Sequence, residues 1–329
     1  MYSFYLGIDM GGTHVRIITY DEAFCGISNI KKVLFRRTGD PRLEVDENLC
    51  ELITCEVKKK EQENKVLKGI GLSVAAIFDR ADGKILLWPN NKVWNGFHLK
   101  EYLMSVFNVP IVMEDDANCA ALGERLAGLG NSFGNMVYIT ISTGVGCGII
   151  INNALYTGTN GWAGELGHIR VVDDGPECSC GMKGCFQSLV SGPAILRSFI
   201  ERNRGKDQFN AVQLDLKEVA DLAHNGNYEA REVFLQAGRY IGKMIAGIVM
   251  LLDISVVVIG GGVIEAGEVL LKPIRDTFDT HIKLLNRKVA LEKTRLGDNN
   301  SAIGSLSLIY SYLNSGKYPE VRNLSKGSE

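Results

Sequence analysis

A strand–glycine turn–strand pattern occurs twice in this 329-residue chain, and it constrains the fold more than any other sequence feature. In each copy an apolar run leads into a glycine-rich turn, and a second apolar run follows the turn. The two copies consist of residues 4–9, 10–13 and 15–20, and of residues 136–142, 143–148 and 149–152. They lie about 130 residues apart and share a design rather than an identical sequence, so they predict two related domains.

The remaining segments alternate between strand and helix patterns. Strands are predicted at residues 32–37, 69–74, 110–113 and 256–259, and helices at residues 47–60, 99–107, 117–129, 228–252 and 302–313. Strands and helices mixed throughout the chain predict the α/β class. The length of the chain exceeds what one compact core usually holds, which also favours two domains.

Composition and charge argue against several kinds of partner. A formal net charge of −2 gives no electrostatic reason to expect nucleic acid or an anionic membrane as a partner. No apolar run reaches the roughly 18 residues that a membrane span needs. Residues 1–7 lack the basic region and cleavage site of a signal peptide, so a cytoplasmic protein is expected. In a reducing cytosol, the eight cysteines are expected to be metal ligands where clustered and core residues where scattered.

The first glycine turn carries the residues expected of a phosphate site. Gly11 and Gly12 have no Cβ to keep backbone N–H groups away from phosphate oxygens, and Thr13 adds a hydroxyl. Asp9, at the end of the preceding strand, is a candidate ligand of Mg²⁺, which prefers carboxylate and water oxygens. A plain β-hairpin with a Gly-Gly turn is the structural alternative.

Two further glycine turns extend the nucleotide interpretation. Thr143, Gly144 and Gly146 repeat the first pattern, which favours a nucleotide held by two related domains. Gly261 and Gly262 follow an apolar strand and are candidates for contact with an adenosine, with a tight strand-to-helix connection as the alternative. The chain has no Walker sequence, and residues 143–148 lead into a strand rather than a helix, which disfavours a dinucleotide fold.

A histidine and three cysteines lie close together in the sequence, in a segment rich in glycine. They are His168, Cys178, Cys180 and Cys185. The set matches a closed tetrahedral Cys₃His structural zinc site, and the intervening glycines allow the chain to fold tightly around an ion. Chance clustering of core or redox thiols is the alternative.

Five motifs, in this order, resemble those of the ROK family of repressors, open reading frames and kinases. They are Asp9-x-Gly-Gly-Thr13, Glu114-Asp-Asp-Ala-Asn118, Thr143-Gly-Val-Gly146, Gly161-Trp-Ala-Gly-Glu-Leu-Gly-His168 and Cys178-Ser-Cys-Gly-Met-Lys-Gly-Cys185. The resemblance implies a duplicated actin-like (ribonuclease H-like) ATPase fold with the active site in the cleft between two domains. Residues 1–116 and a C-terminal helix at about 302–329 would form the smaller domain, and residues 117–301 the larger one. It also implies a homodimer or homotetramer.

The resemblance implies a reaction as well. Repressors of the family carry a winged-helix segment before the first phosphate motif, and Asp9 stands nine residues from the start of this sequence, so the kinase branch is expected. The implied activity is Mg-ATP-dependent phosphorylation of a hexose or N-acetylhexosamine at the 6-hydroxyl. Glucose, allose, mannose, fructose, N-acetylmannosamine and N-acetylglucosamine all remain open. A non-catalytic sugar sensor is the alternative, and a filament-forming actin-like ATPase would leave the cysteine cluster without a purpose.

By the same resemblance, Asp116 matches the catalytic base that accepts the proton of the attacking sugar hydroxyl. Its structural alternative is a helix N-cap. Asn91, with Asn90 as the neighbouring alternative, and Glu165 resemble ligands of sugar hydroxyls. His168 would bind zinc through one nitrogen and face the sugar with the other.

Two positions depart from the family pattern. Asp115 stands where the family usually has Asn, and Gln187 stands where it usually has Glu. Both positions resemble sugar contacts. Asp115 replaces an amide donor by a pure acceptor and places a second negative charge beside Asp116, whereas Gln187 both donates and accepts. A simple glucokinase assignment is therefore not implied.

Overall fold

The computed structural model describes residues 2–23, 25–28, 30–88, 91–204, 214–285, 288–317 and 319. Its strands are β1 (Tyr2–Met10), β2 (His14–Asp21), β3 (Gly26–Ile27), β4 (Lys31–Leu34), β5 (Lys65–Val74), β6 (Ile77–Phe78), β7 (Ile85–Leu87), β8 (Ile111–Asp115), β9 (Met136–Ile141), β10 (Val145–Ile151), β11 (Ala154–Leu155), β12 (Val256–Gly260) and β13 (Ala290–Lys293). Its helices are α1 (Pro41–Val45), α2 (Glu51–Gln62), α3 (Leu99–Phe107), α4 (Asp116–Ala127), α5 (Gln187–Val190), α6 (Gly192–Arg202), α7 (Leu216–His224), α8 (Tyr228–Leu252), α9 (Glu268–Ile282) and α10 (Asn300–Leu313). This mixture confirms the α/β class.

The first sheet brings three polar side chains to one edge. Its strands lie in the order β3-β2-β1-β5-β8, and β4 also pairs with β2. β1 and β2 run antiparallel across the first glycine turn, whereas β5 and β8 run parallel to β1. The carboxyl ends of parallel strands meet at the same edge, so Asp9, Ser73 and Glu114 are register neighbours there.

The second sheet repeats this arrangement. β10 pairs antiparallel with β9 across the second glycine turn, and β12 and β13 continue the sheet on the other side of β9 as parallel strands. An antiparallel pair followed by two parallel strands therefore occurs twice, which is the duplicated design that the sequence predicts.

Several predicted elements change in extent, among them the second glycine turn and the strand predicted at residues 32–37. α3 and α8 have the predicted bounds, but β10 begins at Val145, and Gly146 pairs with Thr140 in the ladder. The second glycine turn is therefore shorter than the predicted residues 143–148, because glycine also fits a strand when its backbone groups are paired. The strand predicted at 32–37 ends at Leu34, because the backbone from residue 36 onward bonds with the side chains of α1 and the π-helical turn after it.

The chain forms two compact units. Unit 1 comprises Met1–Gly134, Asn152–Gly161 and Asp298–Glu329, and unit 2 comprises Asn135–Ile151 and Trp162–Gly297. The predicted domains divide the chain differently, because residues 117–134, 152–161 and 298–301 belong to unit 1 rather than to the second domain. The reason is packing: α4 lies against α10, and α10 also packs across β1 and β5.

Helix α8 lies in the core of unit 2. Its buried face carries Phe234, Ile241 and Ile245, which belong to the same apolar cluster as Val257 and Ile259 of β12. In the part of the chain that the structure describes, α8 is the one helix long and apolar enough to cross a membrane. Core helices of globular proteins meet the same criterion, and the buried face of α8 matches such a helix.

The contact between α4 and α10 depends on Gly304, where a Cβ would overlap the carbonyl group of Cys119. We expect Gly304→Ala to lower the free energy of unfolding by about 1–3 kcal/mol, because the helices must move apart. Gly247→Ala is the matched control, since Gly247 lies in α8 with open space where its Cβ would stand. There the same change should raise stability by about 0.5–1 kcal/mol. Urea unfolding measures both, and equal effects would contradict the close approach.

Candidate functional site

Asp9 is a buried carboxylate held in place by two donors. Ser73 Oγ donates to its Oδ1 at 2.9 Å, and Arg16 Nη1 donates to its Oδ2 at 3.0 Å. Burial, together with the negative charge of Asp116, raises the pKa of Asp9 to about 6 against the effects of Ser73 and Arg16. Asp9 therefore stands in a fixed position beside the first glycine turn, which suits a ligand of Mg²⁺.

The first glycine turn is braced from one side. Gly11 N–H donates to the carbonyl of His14 at 3.0 Å, which closes the turn. Arg37 donates to the carbonyl of Gly12 at 2.7 Å, and Phe35 N–H donates to the carbonyl of Thr13 at 2.8 Å. The carbonyl groups of Gly12 and Thr13 thus accept hydrogen bonds from residues of unit 1, while the side chain of Thr13 is exposed.

Asp115 and Asp116 have different roles at the start of α4. Asp115 is the N-cap: its Oδ1 accepts from the backbone N–H of Asn118 at 2.8 Å, and its Oδ2 accepts from the Asn118 side chain at 2.5 Å. Asp116 is therefore not the N-cap of α4. Desolvation raises the pKa of Asp116 above its usual value, with backbone N–H groups of Ala117 and Asp116 opposing it. Its side chain still reaches solvent.

Arg80 contacts the neighbouring acids Glu114 and Asp115, and no sequence motif marks it for that role. Its guanidinium pairs with Glu114 through two nitrogens, lies 3.7 Å from Asp115 Oδ2, and donates to the carbonyl of Gly161 at 3.2 Å. Burial, followed by the charge of Glu114, raises the pKa of Asp115 well above its usual value. Neither Arg80 nor Ser73 was predicted as a site residue from the sequence. The strand that ends near Ser73 was the available signal for the latter.

Asn91 is buried, and its amide is engaged within unit 1. Its Nδ2 donates to Oε2 of Glu44 at 2.7 Å. The alternative residue, Asn90, lies outside the described residues. Asn91 thus lies in a turn closed by backbone bonds to Trp88 and from Trp94, and Glu44 fixes its side chain.

In unit 2, Gln187 connects the second glycine turn with the cysteine cluster. Its Oε1 lies 3.5 Å from the backbone nitrogen of Val145, and its Nε2 donates to Cys178 Sγ at 3.2 Å. The turn itself is closed by a bond of 2.8 Å from Ser142 N–H to the carbonyl of Gly144. Thr143 and Gly144 lie in this turn, and Gly146 lies in β10.

The predicted metal ligands come together in unit 2. Their ligand atoms, from His168, Cys178, Cys180 and Cys185, all lie within 4.8 Å of one another. His168 Nδ1 is 3.6 Å from Cys178 Sγ, and the other two sulfurs are 3.7 Å apart. Gly184, with φ of +71°, folds so closely that a Cβ would overlap the carbonyl of Val172. We call this Cys₃His cluster the knot.

The chemistry of the knot fits a structural zinc ion. Burial alone would raise the pKa of Cys178, but the Cys180 N–H, the Gln187 amide and neighbouring side chains lower it to about 6. Burial and the nearby sulfurs raise the pKa of Cys185 to about 12. Close thiols cannot all ionise, because their negative charges repel one another, and a bound divalent cation offsets that repulsion. One imidazole and three thiolates supply the four ligands of a tetrahedral site.

The surroundings of two predicted site residues in unit 2, His168 and Gly261, constrain their roles. Nε2 of His168, the nitrogen turned away from the knot, lies 4.0 Å from Oε2 of Glu165. Gly261 has φ of +93° and joins β12 to a 3-10 turn, where a Cβ would overlap the carbonyl of Ile141. The backbone conformation requires glycine at position 261, and Gly262 begins that 3-10 turn. Contact of these two glycines with an adenosine stays a prediction.

Comparison with known proteins identifies relatives over most of the chain. The sequence model of the ROK family matches residues 5–311. The xylose repressor of Bacillus subtilis is 30% identical over 305 residues, which cover 92% of this chain and 76% of the repressor. The glucokinase of Halalkalibacterium halodurans is 32% identical over 288 residues, which cover 84% of this chain and 86% of the glucokinase.

A solved structure supports the same comparison. A ROK family glucokinase from Streptomyces griseus, in complex with glucose and AMPPNP, is 30% identical, with a TM-score of 0.73 over 93% of this chain and 98% of its own. This match confirms the predicted actin-like ATPase fold. Enzymes and regulators are therefore similar to this chain at nearly the same level of identity.

Proposed function

The chain belongs to the ROK family, and on that premise we propose that it is an ATP-dependent sugar kinase. The acceptor we propose is a hexose or N-acetylhexosamine, phosphorylated at the 6-hydroxyl. The observation that carries this proposal is the carboxylate of Asp116, which Asp115 relieves of the capping role and which lies near Asp9. A protein that only bound a sugar would need no base at this position.

In the reaction, Asp116 accepts the proton of the attacking hydroxyl while the sugar oxygen bonds to the γ-phosphorus and ADP departs. Each glycine turn offers N–H groups and a hydroxyl to phosphate oxygens. Asp9 would hold a Mg²⁺ ion, which would supply positive charge to those oxygens. Phosphoryl transfer asks little covalent chemistry of a protein, so positioning and charge stabilisation carry most of the rate enhancement.

From the resemblance to the family, we propose as sugar contacts the side chains of Asn91, Asp115, Glu165, His168 and Gln187. Zinc in the knot serves a structural purpose in this proposal. His168 would hold the ion through Nδ1, which would fix its ring, and its Nε2 would then face a sugar hydroxyl beside Glu165. Gln187 ties the same knot to the second turn.

A sugar-responsive regulator is the second candidate. The similarity to the Bacillus subtilis xylose repressor favours it, since that protein matches 92% of this chain. A regulator would bind its sugar without consuming ATP, so the two candidates separate on turnover alone.

The test is ADP release with Mg-ATP across glucose, mannose, allose, fructose, N-acetylglucosamine and N-acetylmannosamine. Turnover on the order of 1–100 s⁻¹ on one sugar supports the kinase and names its substrate. Zinc-replete, folded protein that binds one of these sugars calorimetrically but releases no ADP supports the regulator instead.

A further inference from the structure

Glu44 is a buried carboxylate that the proposed mechanism does not use. It lies in α1 and is 1% exposed. Backbone N–H groups of Thr38 (2.8 Å) and Gly39 (2.9 Å) donate to its Oε1, and the side chains of Asn91 (2.7 Å) and Trp94 (2.5 Å) donate to its Oε2. Burying a carboxylate is costly unless donors compensate it. Glu44 therefore retains its charge because four donors surround it.

That charge decides which way the amide of Asn91 points. Burial alone would raise the pKa of Glu44, but the bonds from Trp94, Asn91 and the backbone of residues 38–39 outweigh burial and hold the pKa below its usual value. A carboxylate accepts hydrogen bonds and cannot donate them, so the NH₂ group of Asn91 must face it. Oδ1 of Asn91 is consequently turned away from Glu44.

Resting on the kinase function proposed above, we propose that Glu44 is a positioning residue that presents Asn91 to the sugar as a hydrogen-bond acceptor. A substrate hydroxyl then donates to Oδ1 of Asn91. Asn91 is only 7% exposed and has one side of its amide engaged, so it has little freedom to turn over. The site therefore selects a hydrogen-bond donor, such as a hydroxyl, at one position of the sugar.

Fluorinated sugars test this orientation in the wild-type protein. Fluorine replaces a hydroxyl without donating a hydrogen bond, so at the position facing Asn91 a deoxyfluoro analogue should lose as much kcat/KM as the deoxy analogue. We expect a loss of about tenfold or more at that position, typical of an unpaired buried polar group. If every deoxyfluoro analogue retains clearly more activity than its deoxy partner, the proposed orientation is wrong.

Glu44→Gln, made in Trp94→Phe protein, reverses the arrangement. Trp94→Phe removes the other side-chain donor to Oε2. The Gln oxygen then accepts from the backbone N–H groups of residues 38–39, so the Gln NH₂ group faces Asn91 and draws the Asn91 oxygen toward it. Relative to Trp94→Phe alone, the KM for the sugar should rise about tenfold or more, and the fluoro penalty at the selected position should fall. Adding Asn91→Asp gives position 91 a carboxylate that accepts from both the Gln NH₂ group and the sugar, so the KM for the sugar should return most of the way to that of Trp94→Phe. No recovery in the folded triple variant would overturn the coupling.

Asn48→Ala is the matched control. Asn48 bonds to the backbone of Arg36 and to the backbone carbonyl of Glu44, and it does not bond to the Glu44 carboxylate or to Asn91. Because the neighbouring Arg37 braces the first glycine turn, this change should raise the KM for ATP and leave the fluoro pattern unchanged. An altered fluoro pattern in Asn48→Ala would reduce Glu44 to a general structural role. Absence of turnover in wild-type protein would instead count against the kinase function, a separate outcome.

Discussion

Asp116→Asn should reduce kcat by about 10²–10⁴-fold and leave the protein folded, because the amide keeps the size of the carboxylate but cannot take up a proton. The cap of α4 is Asp115, so this change leaves the helix start intact. Steady-state kinetics on the sugar identified by ADP release, together with thermal unfolding, measure both parts of the expectation. Full kcat in the folded variant would remove Asp116 from the role of base.

Asp115→Asn is the matched control for this result. It removes one negative charge from the adjacent position, and Asn caps a helix about as well as Asp. We expect its effect to fall mainly on the KM for the sugar. Equal losses of kcat in both variants would assign the effect to the total charge of the acids and not to a base.

The pH dependence of wild-type kcat/KM gives an independent check. Desolvation raises the pKa of Asp116 above the usual 3.8 and that of Asp9 to about 6. Both groups act only when ionised, so activity should fall as the pH is lowered through about 6. Stability moves the other way for these groups: a raised carboxyl pKa makes the free energy of unfolding fall as pH rises from 3.8 to about 6. Lost activity at pH 5 in folded protein therefore reports titration.

Removing a thiol of the knot should have the second large effect. Cys185→Ser takes away a buried ligand, and structural zinc contributes about 10–16 kcal/mol of apparent binding free energy in zinc-finger peptides. We expect the zinc content to fall from about one ion per chain to none and the midpoint of thermal unfolding to drop by at least about 5 °C. Metal analysis and calorimetry measure these changes.

The control is Cys55→Ser, which alters an exposed cysteine outside the knot. It should retain zinc, stability and activity. Loss of zinc in Cys185→Ser should also raise the KM for the sugar, since His168 loses the ion that fixes its ring. A Cys185→Ser protein that keeps one tightly bound zinc would show that the knot is not the zinc site.

Local patterns predicted much of this molecule. Asp9, the glycine turns and the four knot residues each lie in a short motif whose chemistry is visible in consecutive residues. Arg80 and Glu44 were missed because their partners are distant in sequence: Arg80 pairs with Glu114 34 positions later, and Glu44 with Asn91 47 positions later. Such contacts follow from packing between elements, which a linear pattern does not record.

Neighbouring residues with the same chemistry were the other difficulty. A base and an N-cap are both acids before a helix, so only the bond from Asn118 N–H shows that Asp115 is the cap. The domain boundary depended in the same way on a contact between α4 and α10. The sequence pattern of α4 gave no indication of which sheet it would cover.

The packing of α10 on β1 and β5 has a consequence for biosynthesis. Most of unit 1 precedes unit 2 in the chain, yet α10, which covers the sheet of unit 1, follows the whole of unit 2. The sheet that carries Asp9 must therefore wait, with an apolar face uncovered, while nearly all of unit 2 is translated. Nascent chains of this protein should for that time depend on chaperones that shield such a surface, and the half made first should be the half completed last.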